Sequence, residues 1–192
     1  MDATGLPNFE LKPGNPVTDF FLDQELTTFH DAIHFVRDLP YGRNQSRDDY
    51  LLVLEELKGT CSTKHALLAK IAEMHRQSEI QLMIVVFEMN SKNTPEIIDI
   101  LEAYDIPSIP EAHVILQYNG KLYDFTNEST NAQFENILHQ TPIEPAQIGD
   151  FKVSLHKSFI STWVADSSIG FEPEMIWNIR EQCIERLGDI SA

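Results

Sequence analysis

The chain has 192 residues, 42% of them hydrophobic and 23% charged, which suits one soluble domain with a full apolar core. Fourteen Lys and Arg stand against thirty Asp and Glu, a net charge of −16. That balance argues against nucleic acid, whose binders neutralise phosphates with clustered cations, and against anionic membrane surfaces.

No apolar run has the length of a transmembrane helix, and no basic-then-apolar signal sequence opens the chain. Two cysteines, Cys61 and Cys183, do not make a disulfide framework, so the expectation is a cytoplasmic protein with reduced thiols. Met1 to Pro16, rich in Pro and Gly, reads as an extended arm, and residues 17–192 read as a single domain. A helix is expected from Gln24 to Asp38, with Phe29, Ile33 and Val36 on one face and Pro40 and Gly42 as its stop. His30 and His34 lie one turn apart on it. That spacing could hold a metal, but no third ligand is near, so they read as solvent-facing. Leu39 to Arg47 is polar and turn-rich, either the wall of an active site or a surface connection. A short helix from Asp48 or Asp49 to about Leu57 follows.

Gly59 then breaks the chain ahead of a helix running to about Arg76, with Thr60 as N-cap and Leu67, Leu68, Ile71 and Ala72 as its apolar face. Cys61 falls in the first turn, where unpaired N–H groups and the helix dipole favour a thiolate. Lys64 adds a positive charge one turn on. The alternative is a buried cysteine that happens to begin a helix. Gln81 to Glu88 is a continuous apolar run, a strand buried on both faces. Thr94-Pro95-Glu96 has the composition of a helix start, with the helix reaching Tyr104 and its Ile97, Ile98, Leu101 and Tyr104 face in the core. A short helix near Ala132 to His139, an extended stretch at Phe151 to Val164 and a last helix from Pro173 to Leu187 complete the reading. Gly188 stops that helix, and Cys183 packs inside it. The order implies an α+β fold, helices against a mostly antiparallel sheet.

Between these lies Ala112 to Thr126, two β-rich runs joined by Asn119-Gly120, the signal of a two-residue type I′ hairpin. Tyr118 must then pair with Lys121, Ile115 with Asp124, and His113 with Thr126. Alternation puts His113, Ile115, Gln117, Leu122, Asp124 and Thr126 on one face, with His113 and Asp124 diagonal neighbours within bonding reach. Such a pair is either a core histidine satisfied by a carboxylate or a base held in its tautomer by an acid, awaiting a nucleophile. Cys61 is the candidate nucleophile. His65, four residues after Cys61 on the same helix, is a rival base, and otherwise lines the pocket beside Lys64. A Cys61/His65/His113 zinc site is a weaker reading, because structural zinc favours more sulfur. No metal and no cofactor are expected.

Gly59-Thr60-Cys61, then His113 opening a hydrophobic strand, then Asp124-Phe125-Thr126, resembles the transglutaminase-like superfamily. The chain departs from its pattern at Ser62 and Ile115, where that family often carries aromatic residues. The resemblance implies a transglutaminase-like, papain-like fold with a Cys61-His113-Asp124 triad, Cys61 attacking an amide, ester or thioester carbonyl. The oxyanion would take the Cys61 N–H and one further donor, Asn44 first, with Arg43 or Gln45 as alternatives. The implied activity is a hydrolase of the peptidase or amidase kind acting on a peptide or small acyl substrate. An acyltransferase with a thioester donor and a scaffold domain without turnover are the alternatives.

Overall fold

The computed structural model describes residues 3–127, 136–167 and 169–190. In chain order its elements are α1 (Pro16–Leu22), α2 (Phe29–Asp38), α3 (Leu52–Glu56), α4 (Cys61–Met74) and β1 (Gln81–Asn90). There follow α5 (Ile98–Ala103), β2 (Ser108–Tyr118), β3 (Lys121–Tyr123), β4 (Ile137–Ile143), α6 (Asp150–Ser167) and α7 (Pro173–Ile190). The strands form one antiparallel sheet in the order β3–β2–β1–β4, so the fold is α+β.

The apolar run of β1 is explained by its central place. Leu82, Ile84 and Val86 enter the main core, and Met83 and Val85 point the other way into a small cluster with Ile115 and Leu122. All five β1 side chains are buried, as a strand covered on both faces requires. The main core is filled by Phe29, Ala32, Ile33 and Val36 of α2 and by Ala66, Leu67, Leu68, Ile71 and Ala72 of α4. Ala3, Leu6 and Leu11, ahead of α1, are buried in the same core. At the other end of the β1–β2 ladder Met89 and Ile109 meet Ile97 and Leu101, with Ile160 from α6 and Ile176, Ile179 and Cys183 from α7. Cys183 is a packed thiol, pushed up to about 11 by burial.

Several boundaries and two elements differ from the sequence reading. The stretch Phe151–Val164 is not extended but lies inside α6. Its buried positions are Lys152, His156 and Ile160, one every four residues, and a Lys and a His in that stripe hide a helical period from a search for apolar letters. His139 belongs to β4, not to a helix, because Ile137–Ile143 pairs with the second edge of β1; residues 132–135 lie outside the described residues. Pro142 fits that outer strand, where a missing N–H is tolerated. α2 begins at Phe29 rather than Gln24, since Thr28 and Asp31 make a reciprocal capping box. α3 is confined to Leu52–Glu56, and Leu57 turns left-handed at φ 50°. α4 ends at Met74, with Arg76 at φ 62°. Thr94 makes no side-chain cap; Pro95–Ile97 is a 3-10 turn and α5 starts after it. α1, which the sequence reading left inside a single domain without a helix, starts on Asn15, whose Oδ1 accepts the Val17 N–H. Gly188 does not stop α7, which continues to Ile190.

Candidate active site

Three segments converge on a cleft of about 870 Å³: the start of α4, the hairpin, and a far wall made by α6 and α7. The first is the start of α4. Gly59 donates its N–H to Pro40 O at 3.2 Å and accepts the Gly42 N–H at 3.2 Å, which stitches the polar 39–47 loop alongside the approach to Cys61. A Cβ on Gly59 would stand 2.9 Å from Thr63 Oγ1 and 3.0 Å from Val53 Cγ2, so no larger residue fits without displacement. Thr60 is the extended N-cap residue, its N–H donating to Thr63 Oγ1 at 3.1 Å, and Cys61 is the first helical residue.

The second segment is the hairpin. Tyr118 pairs with Lys121, Gln117 with Leu122 and Leu116 with Tyr123, around Asn119 and Gly120 at φ 49° and 74°. That is the register and turn the sequence implies, but the ladder stops at Tyr123, so Asp124 and Thr126 are not strand partners of Ile115 and His113. They still reach the expected place. His113 Nε2 donates to Asp124 Oδ2 at 2.8 Å. Asp124 Oδ1 accepts the Thr126 N–H at 2.9 Å and the Thr126 hydroxyl at 2.6 Å. Where β3 ends, the outer edge of β2 has no strand beside it at His113 and Val114, which pair on the other edge with Val85 and Ile84 of β1. The N-terminus of α4 stands there instead, and the Val114 N–H bonds the Cys61 sulfur.

His113 is thus held between two partners. A carboxylate only accepts, so Nε2 carries a proton toward Asp124 and Nδ1 serves the Cys61 thiol, with which the imidazole hydrogen-bonds. Burial alone would raise Cys61, but the charges of His113 and Lys152 and the bonds from His113 and Val114 bring it down to about 6. Burial would favour neutral His113, yet the Cys61 and Asp124 charges raise it well above the ordinary imidazole range. Asp124, fully buried, is held well below the usual carboxylate range because the His113 charge and hydrogen bond outweigh its desolvation. At neutral pH the pair is therefore a thiolate facing an imidazolium.

Neither a protein-family model, nor a curated protein, nor a solved structure matches the chain. Its chemistry has to be read from the side chains themselves. His65 is not placed to act as a base. Its Nδ1–H donates to Cys61 O at 2.8 Å and its Nε2 accepts the Phe125 N–H at 2.8 Å, so both nitrogens are committed to backbone. Burial pushes it down to about 4, which keeps it neutral, and the same two bonds disqualify it as a zinc ligand. Lys64, also fully buried, donates to Arg37 O, Leu39 O and Thr126 O at 3.3, 2.6 and 2.7 Å. Burial pushes it down to about 8. Lys64 and His65 hold the loop, α4 and the Asp124 turn together, and neither lines the cleft. Among the described residues no group of three or more His, Cys, Asp or Glu is arranged to hold a metal ion, and no helix is long and apolar enough to cross a membrane.

Two of the three loop residues expected to supply an oxyanion donor have their side chains otherwise engaged. Asn44 gives its amide hydrogens to Glu56 Oε2 and Lys58 O at 3.1 and 3.0 Å, and its oxygen accepts from Thr63 Oγ1 at 2.8 Å. Arg43 lies at the cleft but is half-exposed and paired with Glu181 at 2.7 Å. Gln45 is exposed, and its backbone N–H donates to Glu56 Oε1. The far wall was not foreseen from sequence. Lys152 of α6 donates to Ser62 Oγ at 2.8 Å, next door to Cys61. Arg180 of α7 forks onto Glu111 of β2 with two 2.6 Å bonds and stacks against Trp177. A four-residue spacing search through α6 would have found Lys152 and His156 together.

Proposed function

We propose that the protein is a cysteine-dependent acyl-transfer enzyme of the transglutaminase-like type, working as a hydrolase on an amide, ester or thioester. The observation that carries this reading is His113 bonded to Asp124 on one side and to the Cys61 thiol on the other, at the wall of an open cleft. A thiolate at a helix N-terminus, an oriented imidazolium and a buried carboxylate are the parts an acyl transfer needs. The order of a cysteine opening a helix, a histidine on the following antiparallel strand pair and an Asp-x-Thr turn after a hairpin supports the same family reading and, with it, the finer fold assignment.

In the sequence of steps, the Cys61 sulfur attacks the substrate carbonyl carbon and the carbonyl π pair moves to oxygen. Collapse expels the leaving group, which takes the proton of the His113 imidazolium. Water, deprotonated by the now neutral His113, attacks the thioester; collapse then releases the acid and regenerates the thiolate–imidazolium pair. Asp124 keeps Nε2 as a donor throughout, so that Nδ1 always faces the reaction.

The test is the pH dependence of iodoacetamide alkylation at Cys61. Cys183, buried and pushed up to about 11, stays silent over the range used. Half-maximal reactivity is expected near pH 6, as the depressed thiol dictates, against about 8.5 for a free cysteine. His113→Ala should move the midpoint up by at least one unit and cut the pH 7 rate about tenfold or more. A midpoint near 8.5 that His113→Ala leaves in place sinks the proposal.

A further inference from the structure

Lys152 lines the cleft, and the triad chemistry leaves it without a task. Its side chain reaches from α6 across to the first turn of α4, is about nine-tenths buried, and ends 2.8 Å from Ser62 Oγ. Among the described residues it makes no ion pair. The other buried charges near it are already matched: Glu111 is gripped by Arg180 at 2.6 Å and Asp124 by His113 at 2.8 Å. An ammonium whose one hydrogen-bonding partner among the described residues is a neutral hydroxyl is costly to bury unless negative charge stands nearby for part of its working cycle. That charge is next door, because Ser62 Oγ lies 3.9 Å from Cys61 Sγ.

We infer that Lys152 is a catalytic residue, the cationic arm of the oxyanion site, tethered by Ser62 and acting together with the Cys61 N–H. This rests on the acyl-transfer reading above. When the sulfur lone pair forms the S–C bond, one negative charge leaves the sulfur and appears on the former carbonyl oxygen. Lys152, bonded to the Ser62 hydroxyl that lies beside the sulfur, keeps that charge within reach as it moves. Its three N–H donors allow one to remain on Ser62 while another turns to the oxygen. Of the loop candidates, Asn44 has both amide hydrogens engaged and Arg43 is bound to Glu181. Ser62, where the resemblance leads one to expect an aromatic ring, supplies the anchor that a ring could not.

The experiment compares two reactions of the same thiolate in the full chain. Alkylation by iodoacetamide builds no oxyanion, whereas acylation by p-nitrophenyl acetate must, and its burst of p-nitrophenol counts the acyl-enzyme formed. Both are measured at pH 9, above the Cys61 midpoint. Lys152→Gln, which can still bond Ser62 but carries no charge, is expected to lower the acylation rate about a hundredfold and to leave alkylation within about twofold. Lys152→Met should do the same, and Lys152→Arg should recover most of the acylation. Equal losses in both reactions, or full acylation in Lys152→Gln, would overturn the assignment of Lys152 while leaving the Cys61–His113 reading standing. If the wild-type chain forms no acyl-enzyme at all, both readings fall together.

Discussion

Asp124 has no exposed surface, and a carboxylate survives such burial only when its lone pairs are occupied. His113 occupies one oxygen, and Thr126 occupies the other twice, through its N–H and its hydroxyl. Thr126 sets how firmly Asp124 stays ionised and so how firmly His113 stays charged. Thr126→Val should cost about 1–2 kcal/mol in urea denaturation and move the Cys61 alkylation midpoint upward, with Thr126→Ser restoring both. An unshifted midpoint would reduce Thr126 to a packing residue. The His113–Asp124 pair was legible from sequence because Asn119-Gly120 is a local turn signal from which the two strands can be counted, although the ladder itself ends one residue short of Asp124. His65 was misjudged for a related reason. Spacing along a helix shows which residues are near Cys61, but not that backbone at Cys61 and Phe125 has already claimed both ring nitrogens. Lys152 lay beyond any such counting, because its contact with Ser62 joins elements ninety residues apart.

At the scale of elements, α4 carries both the main core and the thiol, so its start has to be placed by something rigid. Gly59 does this by lying against Val53, Thr63 and Lys64 while pairing with Pro40 and Gly42. Gly59→Ala should destabilise the protein by about 1–3 kcal/mol through overpacking and slow Cys61 alkylation as the first turn shifts. Gly188→Ala is the contrasting case. It lies within α7 with nothing within 4 Å of an added Cβ, and alanine there should stabilise by about 0.5–1 kcal/mol. Chemical denaturation of the two variants checks both signs. The same contrast explains which elements could be read in advance. β1 and α4 advertise themselves through unbroken or periodic apolar letters. α6 does not, since its buried stripe includes Lys152 and His156, and β4 owes its form to the open edge of β1 rather than to its own composition.

Over the whole molecule the buried titratable groups combine into a definite response to acid. His65, lowered to about 4 by burial, Glu111, lowered to about 2 by Arg180 against its own desolvation, and Asp124 all have folded values below their unfolded ones. Each contributes stability that is present above its unfolded value and lost as pH falls toward its folded one. His113 is raised, so its contribution is present below the unfolded value of 6.5 and is lost at higher pH, which opposes the trend only on the alkaline side. The thermal midpoint should therefore begin to fall below pH 6.5, where unfolded His65 takes a proton, and fall faster below 4.5, where Glu111 and then Asp124 follow. The His65 share alone is on the order of 3 kcal/mol between pH 6.5 and 4. His65→Gln should make that first limb shallower, leaving the share of His156, which burial also lowers; a midpoint that holds steady down to pH 4 in the wild-type chain would show that His65 is not locked neutral.

The early end of β3 also has a meaning in time. By stopping at Tyr123, the hairpin leaves a notch at the β2 edge that the start of α4 fills. The bolt that fixes it there, His65 to Phe125, joins positions sixty residues apart and has to wait for a large loop to close. Before that closure Cys61 is an ordinary thiol, ionising near 8.5 like any exposed cysteine. Its heightened nucleophilicity is a property of the finished tertiary structure, so the growing chain carries no activated thiolate at position 61 until helix and hairpin have docked.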